Sequence, residues 1–209
     1  MEVIDGATLG SICYHPSLLP RHRGASSISW TLIEGDEIGG FTIFWADDGL
    51  DTGPILLQRQ CPVDSKDTLD SFYRRFLYPE GIKAMIESVK MVSNNCAPKI
   101  KQTEMGATYD PALFKIENQD INFKENAINI FNFIRGLDSV PGARAVVYIK
   151  ETDEEIPVRL FGASLYDGLM PTGVPLLFRG LPEHAIVHDD GIIVKGVDKK
   201  LVNSLKCLY

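Results

Sequence analysis

The apolar positions in the first part of the chain come in short runs that predict strands. Residues 9–14 and 39–46 are apolar and rich in β-branched or aromatic residues, which is typical of buried strands in an α/β sheet. Residues 54–60 predict a third strand. Between the first two runs, residues 25–34 carry apolar side chains at helical spacing, and Gly35 is placed to end that helix.

The pattern then changes to a helical period. Ser65 is a candidate N-cap for one helix, and Pro79 is placed in the first turn of a second. The second helix has apolar side chains at i, i+3 and i+4 spacing, at Ile82, Met85, Ile86, Val89 and Val92. Such a stripe predicts a face packed into a core and not a cofactor site.

Beyond Tyr109 the pattern predicts one helix followed mainly by strands. The helix ends at Gly136, and residues 143–149, 156–160 and 186–196 predict strands. An Asp-Asp-Gly turn inside the last of these runs indicates a hairpin. We therefore expect a small β-rich domain in the second half of the chain.

The composition of the chain mainly excludes classes of protein and kinds of site. The chain has 209 residues, of which 44% are hydrophobic and 23% charged, with a net charge of −7, as in ordinary globular domains. Residues 1–10 lack the basic and apolar parts of a signal peptide, and no run approaches the ~20 apolar residues of a membrane span. The four cysteines have no CxxC spacing, which favours reduced thiols over disulfides or zinc. His22, His184 and His188 lack metal-ligand spacing, so we assign them to loops and the surface and expect no metal.

Two loops carry the candidate chemistry. Residues 14–24 (YHPSLLPRHRG) and 47–54 (DDGLDTGP) each follow a predicted strand, and ligands of open α/β sheets bind at the C-terminal ends of strands. They supply His15 and Asp51. Either residue alone is best explained structurally, His15 as a packed loop residue and Asp51 as an acceptor for turn amides.

These two loops resemble the formyltransferase family that uses 10-formyltetrahydrofolate, whose signatures are a His-x-Ser-Leu-Leu-Pro-x-x-Arg-Gly loop and an Asp-x-Gly-Leu-Asp-Thr-Gly loop. The resemblance implies that His15 donates to the oxyanion of a tetrahedral intermediate, and that Asp51 orders the nucleophile and receives its proton. It also implies substrate-binding roles for five residues of the loops, Ser17, Asp47, Asp48, Gly49 and Leu50. The substrate is then 10-formyltetrahydrofolate, and this region binds no further cofactor.

One branch of the family is more similar than the rest: the N-terminal hydrolase region of 10-formyltetrahydrofolate dehydrogenases. The similarity continues through residues 44–53, 75–83, 106–109 and 134–143. Most of the family has an Asn two residues before the His, whereas this chain has Cys13. Loss of that amide removes an oxyanion donor worth about 3 kcal/mol. The alternative for Cys13 is a small buried strand residue with no catalytic part.

The resemblance also sets expectations for the domains. It implies an α/β fold, with residues 1–112 as the second half of a Rossmann-like catalytic domain and residues 113–209 as an OB-like domain. The His loop comes at residue 15, without a preceding glycine turn and helix, so we expect the chain to be N-terminally truncated. On that basis the 209 residues alone should be poorly soluble and fail to bind folate.

The branch implies an enzyme of one-carbon metabolism that hydrolyses or hands over the formyl group, leaving tetrahydrofolate. Carrier and aldehyde dehydrogenase domains, with 4′-phosphopantetheine and NADP, would lie elsewhere in a homo-oligomeric parent. We expect a cytoplasmic protein that acts on a small folate, with no nucleic acid or membrane partner; a mitochondrial form stays open. One alternative is transfer to an amine, as in methionyl-tRNA formyltransferases, and another is a non-catalytic truncated product.

Two further observations bear on these alternatives. Residues 115–209 hold 11 Lys and Arg against 13 Asp and Glu, a balance of 11 − 13 = −2, which disfavours a tRNA surface. Arg21 and Arg23 could attract the glutamate tail of a folate or pair with surface carboxylates, and the sequence favours neither.

Overall fold

The computed structural model describes residues 6–139 and 141–208. The chain divides into two units. Unit 1 contains the described residues up to Thr31, Asp36–Ser65 and Ser71–Ala112. Unit 2 contains Leu32–Gly35, Lys66–Asp70 and the described residues from Leu113 onward.

Unit 1 is built on a sheet of three strands in the order β1-β2-β3. Their bounds are Ile12–His15 for β1, Ile38–Trp45 for β2 and Ile55–Pro62 for β3. All three predicted strands are confirmed, the first in a shorter form. Their inner side chains form an apolar core with the following helices: Phe41, Ile43, Trp45, Leu56, Phe72, Leu77 and Ala84.

The pairing in this sheet corrects one expectation about the site. β1 and β2 are antiparallel, with His15 opposite Thr42 and Ile12 opposite Trp45. The C-terminal ends of the two strands therefore lie at opposite ends of the pair, so a shared C-terminal edge does not bring the two loops together. Residues 46–54 must instead fold back along the sheet toward His15.

The helices before Asn94 begin within a few residues of their predicted positions. The helix α1 spans Ser27–Ile33 and ends before Gly35, whose φ is +70°. The short α2, Leu69–Phe72, continues through a π-helical turn, Tyr73–Leu77, into α3. The predicted break between two helices is thus a π-turn, and α3 spans Tyr78–Ser93 with its proline in the first turn.

The expected core face of α3 is confirmed only in part, because Met85 and Val92 pack against the core and the other three predicted residues do not. Among the described residues, Ile82 is 46% exposed, and Ile86 and Val89 are each 53% exposed. The fully buried residues of α3 are small: Gly81, Ala84 and Ser88. A Cβ at Gly81 would stand 2.7 Å from the ring of Tyr14, so only glycine permits this close approach.

Unit 2 contains the helix α4, Ala127–Gly136, and a six-stranded antiparallel sheet. The sheet order is β4-β5-β9-β8-β7-β6. Its strands are β4 Ala143–Ile149, β5 Glu154–Tyr166, β6 Val174–Leu176, β7 Ala185–His188, β8 Gly191–Lys195 and β9 Leu201–Leu208. The hairpin between β7 and β8 is confirmed, β5 is longer than predicted, and β6 and β9 were not predicted. A 3₁₀ turn, Ile116–Asn118, precedes α4.

Within the described ranges, none of the helices combines the length and apolar character that crossing a bilayer requires.

Candidate active site

His15 ends β1 and is held by the loop that follows it. Its side chain is 8% exposed. The ring atom Nε2 lies 2.7 Å from the backbone carbonyl of His22, and Nδ1 lies 3.5 Å from Oδ2 of Asp51. A carbonyl only accepts hydrogen bonds, so Nε2 carries the proton and Nδ1 is the ring atom directed at the carboxylate. The two predicted catalytic side chains are thus brought together.

Asp51 adopts an uncommon backbone conformation, with φ of +54°. Its Oδ2 accepts a hydrogen bond of 2.7 Å from the amide of Gly24. Gln102 holds the backbone here, because its Nε2 donates to the carbonyls of Asp51 and Gly53, each at 2.8 Å. A strained residue that its surroundings hold in place is typical of functional loops.

The His loop is fixed to the sheet by side chains of β2 and β3. Thr42 donates to the carbonyl of Ser17 at 2.7 Å and accepts from the amide of Leu19 at 3.0 Å. Gln58 donates to the hydroxyl of Thr42 at 2.8 Å and to the carbonyl of Leu19 at 3.0 Å. These bonds determine where the loop leaves β1.

Arg23 is 1% exposed and orients Gln102. Its guanidinium donates to Oε1 of Gln102 at 2.9 Å, to the hydroxyl of Tyr109 at 2.6 Å and to Glu104 at 3.4 Å. Arg21 pairs with Asp36 at 2.7 Å. Both arginines therefore have carboxylate partners, which favours the pairing alternative over attraction of a folate tail.

The assignment of His22 to the surface was wrong, because its side chain is only 2% exposed. Nδ1 lies 2.5 Å from Asp110 and Nε2 lies 2.9 Å from Asp36. Burial alone would lower the pKa of His22, but its bonds to Asp36 and Asp110 raise that pKa above the ordinary value. Burial acts in the opposite sense on Asp36, whose pKa is nonetheless lowered by His22 and Arg21.

The predicted substrate-binding residues fall into two groups. Asp47, Asp48, Gly49 and Leu50 are exposed, and Asp47 accepts hydrogen bonds from its own loop, from the hydroxyl of Thr52 at 2.8 Å and the amide of Gly49 at 3.1 Å. Ser17 is 1% exposed, and its hydroxyl donates to the carbonyl of Arg21 at 2.6 Å. The structure thus places Ser17 inside its loop and the other four at the surface.

Cys13 lies two residues before His15 on β1 and is exposed. The alternative of a small buried strand residue was therefore wrong. Partial desolvation and the nearby Asp51 carboxylate raise the pKa of the Cys13 thiol. The thiol consequently stays protonated at neutral pH.

Comparison with known proteins agrees with this geometry. The family model described as formyl transferase matches residues 1–89, which include both loops. Residues 1–89 are thus similar to the formyl transferase family. Nearly the whole chain is similar to cytosolic 10-formyltetrahydrofolate dehydrogenase of Xenopus laevis, with 53% identity over 199 residues, 95% of this chain and 21% of that protein. The mitochondrial 10-formyltetrahydrofolate dehydrogenase of Mus musculus is 51% identical over 96% of the chain and 21% of its own length.

The chain therefore spans about a fifth of the length of these relatives. Among solved structures, an N-formyltransferase of Helicobacter canadensis in complex with folinic acid superposes with a TM-score of 0.70. The two sequences are 20% identical, and the superposition covers 93% of this chain and 65% of the Helicobacter canadensis chain. This likeness shows a formyltransferase fold, and the two sheets with helices agree with an α/β class.

Sequence reasoning missed several residues that hold the formyl transferase loops. Gln102 lies in a polar stretch without a motif, and Asp36 and Asp110 are isolated acids. Thr108, whose hydroxyl accepts from the amide of His22 at 2.7 Å, lies in a segment included in the resemblance. In the part of the chain that the structure describes, no group of three or more His, Cys, Asp or Glu could hold a metal ion.

Proposed function

We propose that this chain carries the formyl-releasing site of an enzyme related to the 10-formyltetrahydrofolate dehydrogenases. The observation that carries the proposal is the 3.5 Å contact between Nδ1 of His15 and Oδ2 of Asp51, made by two loops that both lie in the formyl transferase match. Formyl release needs a donor for an oxyanion and a base for the attacking group, and this pair offers one of each.

The proposed reaction is hydrolysis of 10-formyltetrahydrofolate. Asp51 orders a water molecule and takes its proton while the oxygen bonds to the formyl carbon. Protonated His15 donates from Nδ1 to the resulting oxyanion. Breakage of the bond between that carbon and N10, with a proton returned to N10, then gives formate and tetrahydrofolate. Handover to a carrier would follow the same steps with a different nucleophile.

The exposure of the predicted substrate-binding residues suggests what each of them does. Asp47, Asp48, Gly49 and Leu50 form a surface loop next to Asp51, which suits contact with a pterin, whereas Ser17 supports the His loop from inside. Residues 1–112 would form part of the catalytic domain. Residues 113–209, which contain the six-stranded sheet, would form an OB-like domain. The relatives are a cytosolic and a mitochondrial protein, which supports an enzyme of the cytosol or the mitochondrion. The carrier and NADP-dependent regions that the resemblance implies would lie elsewhere in the polypeptide.

The test is formate release by the natural polypeptide that carries this chain. His15→Ala and Asp51→Ala should each lower kcat by about 100-fold or more, on the scale of acid-base and oxyanion groups. Matched controls are His184→Ala and Asp167→Ala, which replace exposed residues of unit 2. The proposal fails if either site variant, shown to be folded by circular dichroism, turns over at the control rate.

A further inference from the structure

His22 is a buried histidine that the proposed reaction does not use. It lies seven residues after His15, and both of its ring nitrogens face carboxylates, Asp110 through Nδ1 and Asp36 through Nε2. A carboxylate oxygen accepts hydrogen bonds and does not donate them, so each ring nitrogen must carry a proton. His22 is therefore an imidazolium fixed at both ends of its ring.

The backbone of His22 is directed by this side chain. Its φ is +57°, in the left-handed region that non-glycine residues seldom adopt. The amide donates to Thr108 at 2.7 Å, and the carbonyl accepts from Nε2 of His15 at 2.7 Å. A residue held at its ring, its amide and its carbonyl has little freedom to turn that carbonyl elsewhere.

The carbonyl has a specific consequence for His15. A free neutral imidazole exchanges between two tautomers, and a hydrogen bond from one ring nitrogen selects between them. When Nε2 donates to the carbonyl of His22, Nδ1 carries the lone pair in the neutral ring and the second proton in the imidazolium. That atom is the one 3.5 Å from Asp51.

We propose that His22 is a positioning residue: its imidazolium, held between Asp36 and Asp110, orients its own carbonyl so that His15 keeps the Nε2–H tautomer and presents Nδ1 to Asp51. A buried ion cluster can also serve stability alone. The geometry favours positioning, because the residue that carries the charge also supplies the carbonyl that His15 uses. The link to catalysis rests on the proposed function, whereas the link to the tautomer does not.

The experiment is ¹⁵N NMR of the ring nitrogens of His15, combined with kinetics. In His22→Gln the ring charge is lost and Asp36 and Asp110 are left without their shared donor. The Nδ1–H tautomer of neutral His15 should then become populated, whereas the unsubstituted protein should show the Nε2–H form. In the natural polypeptide, kcat for formate release should fall about 10-fold or more with little change in KM, because a His15 ring that is no longer held at Nε2 does not keep Nδ1, the donor atom of the proposed reaction, directed at the oxyanion.

Two further variants separate positioning from stability. Asp110→Asn keeps a hydrogen-bonding side chain but removes one charge, and it should shift the tautomer in the same direction by less. Ser204→Ala removes a buried hydroxyl of unit 2 that donates to the carbonyl of Phe161 at 2.8 Å, and it should leave the tautomer and kcat unchanged.

The proposal is overturned if folded His22→Gln keeps the Nε2–H tautomer and the unsubstituted kcat. If that variant does not fold, an unchanged tautomer in Asp110→Asn overturns it. A tautomer shift with unchanged kcat would also overturn it when His15→Ala abolishes turnover. If His15→Ala itself keeps full turnover, the proposed function fails, and the tautomer measurement still decides whether His22 positions the ring.

Discussion

The loops of the candidate site and the sheet of unit 2 are held by different interactions. Around His15 and Asp51, buried polar side chains such as His22 and Gln102 make directional bonds to backbone and carboxylates. In the sheet of unit 2 the side chains that are at most 8% exposed are mainly aliphatic: Val146, Val158, Leu160, Ile192, Ile193, Val194 and Val202. Burial of apolar area is non-directional, whereas a hydrogen bond fixes an angle. We therefore expect substitutions in the sheet to change stability, and substitutions in the loops to change geometry.

The largest effect on stability is expected in the sheet. Ile193 is 0% exposed, so Ile193→Ala should lower the free energy of unfolding by about 2–5 kcal/mol through lost burial and a cavity. Urea unfolding measures this change. Formate release per folded molecule should stay the same, and a changed kcat in folded protein would contradict the separation of the two regions.

A smaller loss of stability with a larger loss of function is expected at Gln102. Gln102→Leu leaves the carbonyls of Asp51 and Gly53 without their donor and should lower the free energy of unfolding by about 1–3 kcal/mol. Because Asp51 is then free to leave its strained conformation, formate release should also fall.

The matched control for this variant is Gln119→Leu in unit 2, where the side chain donates to the carbonyl of Leu113 at 2.7 Å. It should lower stability without lowering kcat. Equal effects of the two glutamine variants on kcat would show that loss of stability alone explains the result at Gln102.

The charge on His22 predicts a pH dependence of stability. Because the folded-state pKa of His22 is raised above the ordinary 6.5, its contribution is fully present below that value and is lost as pH rises through the folded-state pKa. The groups that face it are Asp36, Asp110 and Arg21. Urea unfolding at steps from about pH 6 to about pH 9 should show the free energy of unfolding declining with pH. The decline should be smaller in His22→Gln. His184→Gln is the control and should keep the pH dependence of the unsubstituted protein. If His22→Gln also keeps it, the pH dependence comes from other groups.

The smallest effect on stability is expected at Cys13. Because Cys13 is exposed, Cys13→Asn should change the free energy of unfolding by no more than about 0.5 kcal/mol. The new amide would lie next to His15 and could donate to the oxyanion, so the rate of formate release should change while folate affinity does not. Thermal melting and turnover of the same variant check this, and Cys13→Ser controls for loss of the thiol. Unchanged turnover in Cys13→Asn would remove position 13 from the oxyanion site.

Local patterns predicted elements well and their surroundings poorly. The strands β2 and β3 and the helix α4 follow from runs and periods within a few residues. Three residues of the apolar stripe of α3, Ile82, Ile86 and Val89, were wrongly placed in the core, because a period shows that a face is apolar and not what covers it. The burial of His22 was missed for a related reason, since it depends on Asp36 and on Asp110, which is 88 residues away.

The candidate site was predicted in its residues but not in its construction. Two motif loops identified His15 and Asp51 as a pair, and the structure brings them together. The antiparallel pairing of β1 and β2, and the return of the Asp51 loop, depend on contacts with Gly24 and Gln102 that no local pattern carries.

The central claim is that His15 and Asp51 act as one catalytic unit, and a double-mutant cycle on kcat for formate release tests it most directly. The rates of His15→Ala, Asp51→Ala and the double variant are compared with that of the unsubstituted polypeptide. Residues that act together are strongly non-additive, so the double variant should be about as slow as the slower single variant. If the two effects instead multiply, or if either single variant retains the original rate, the two residues do not form a common site.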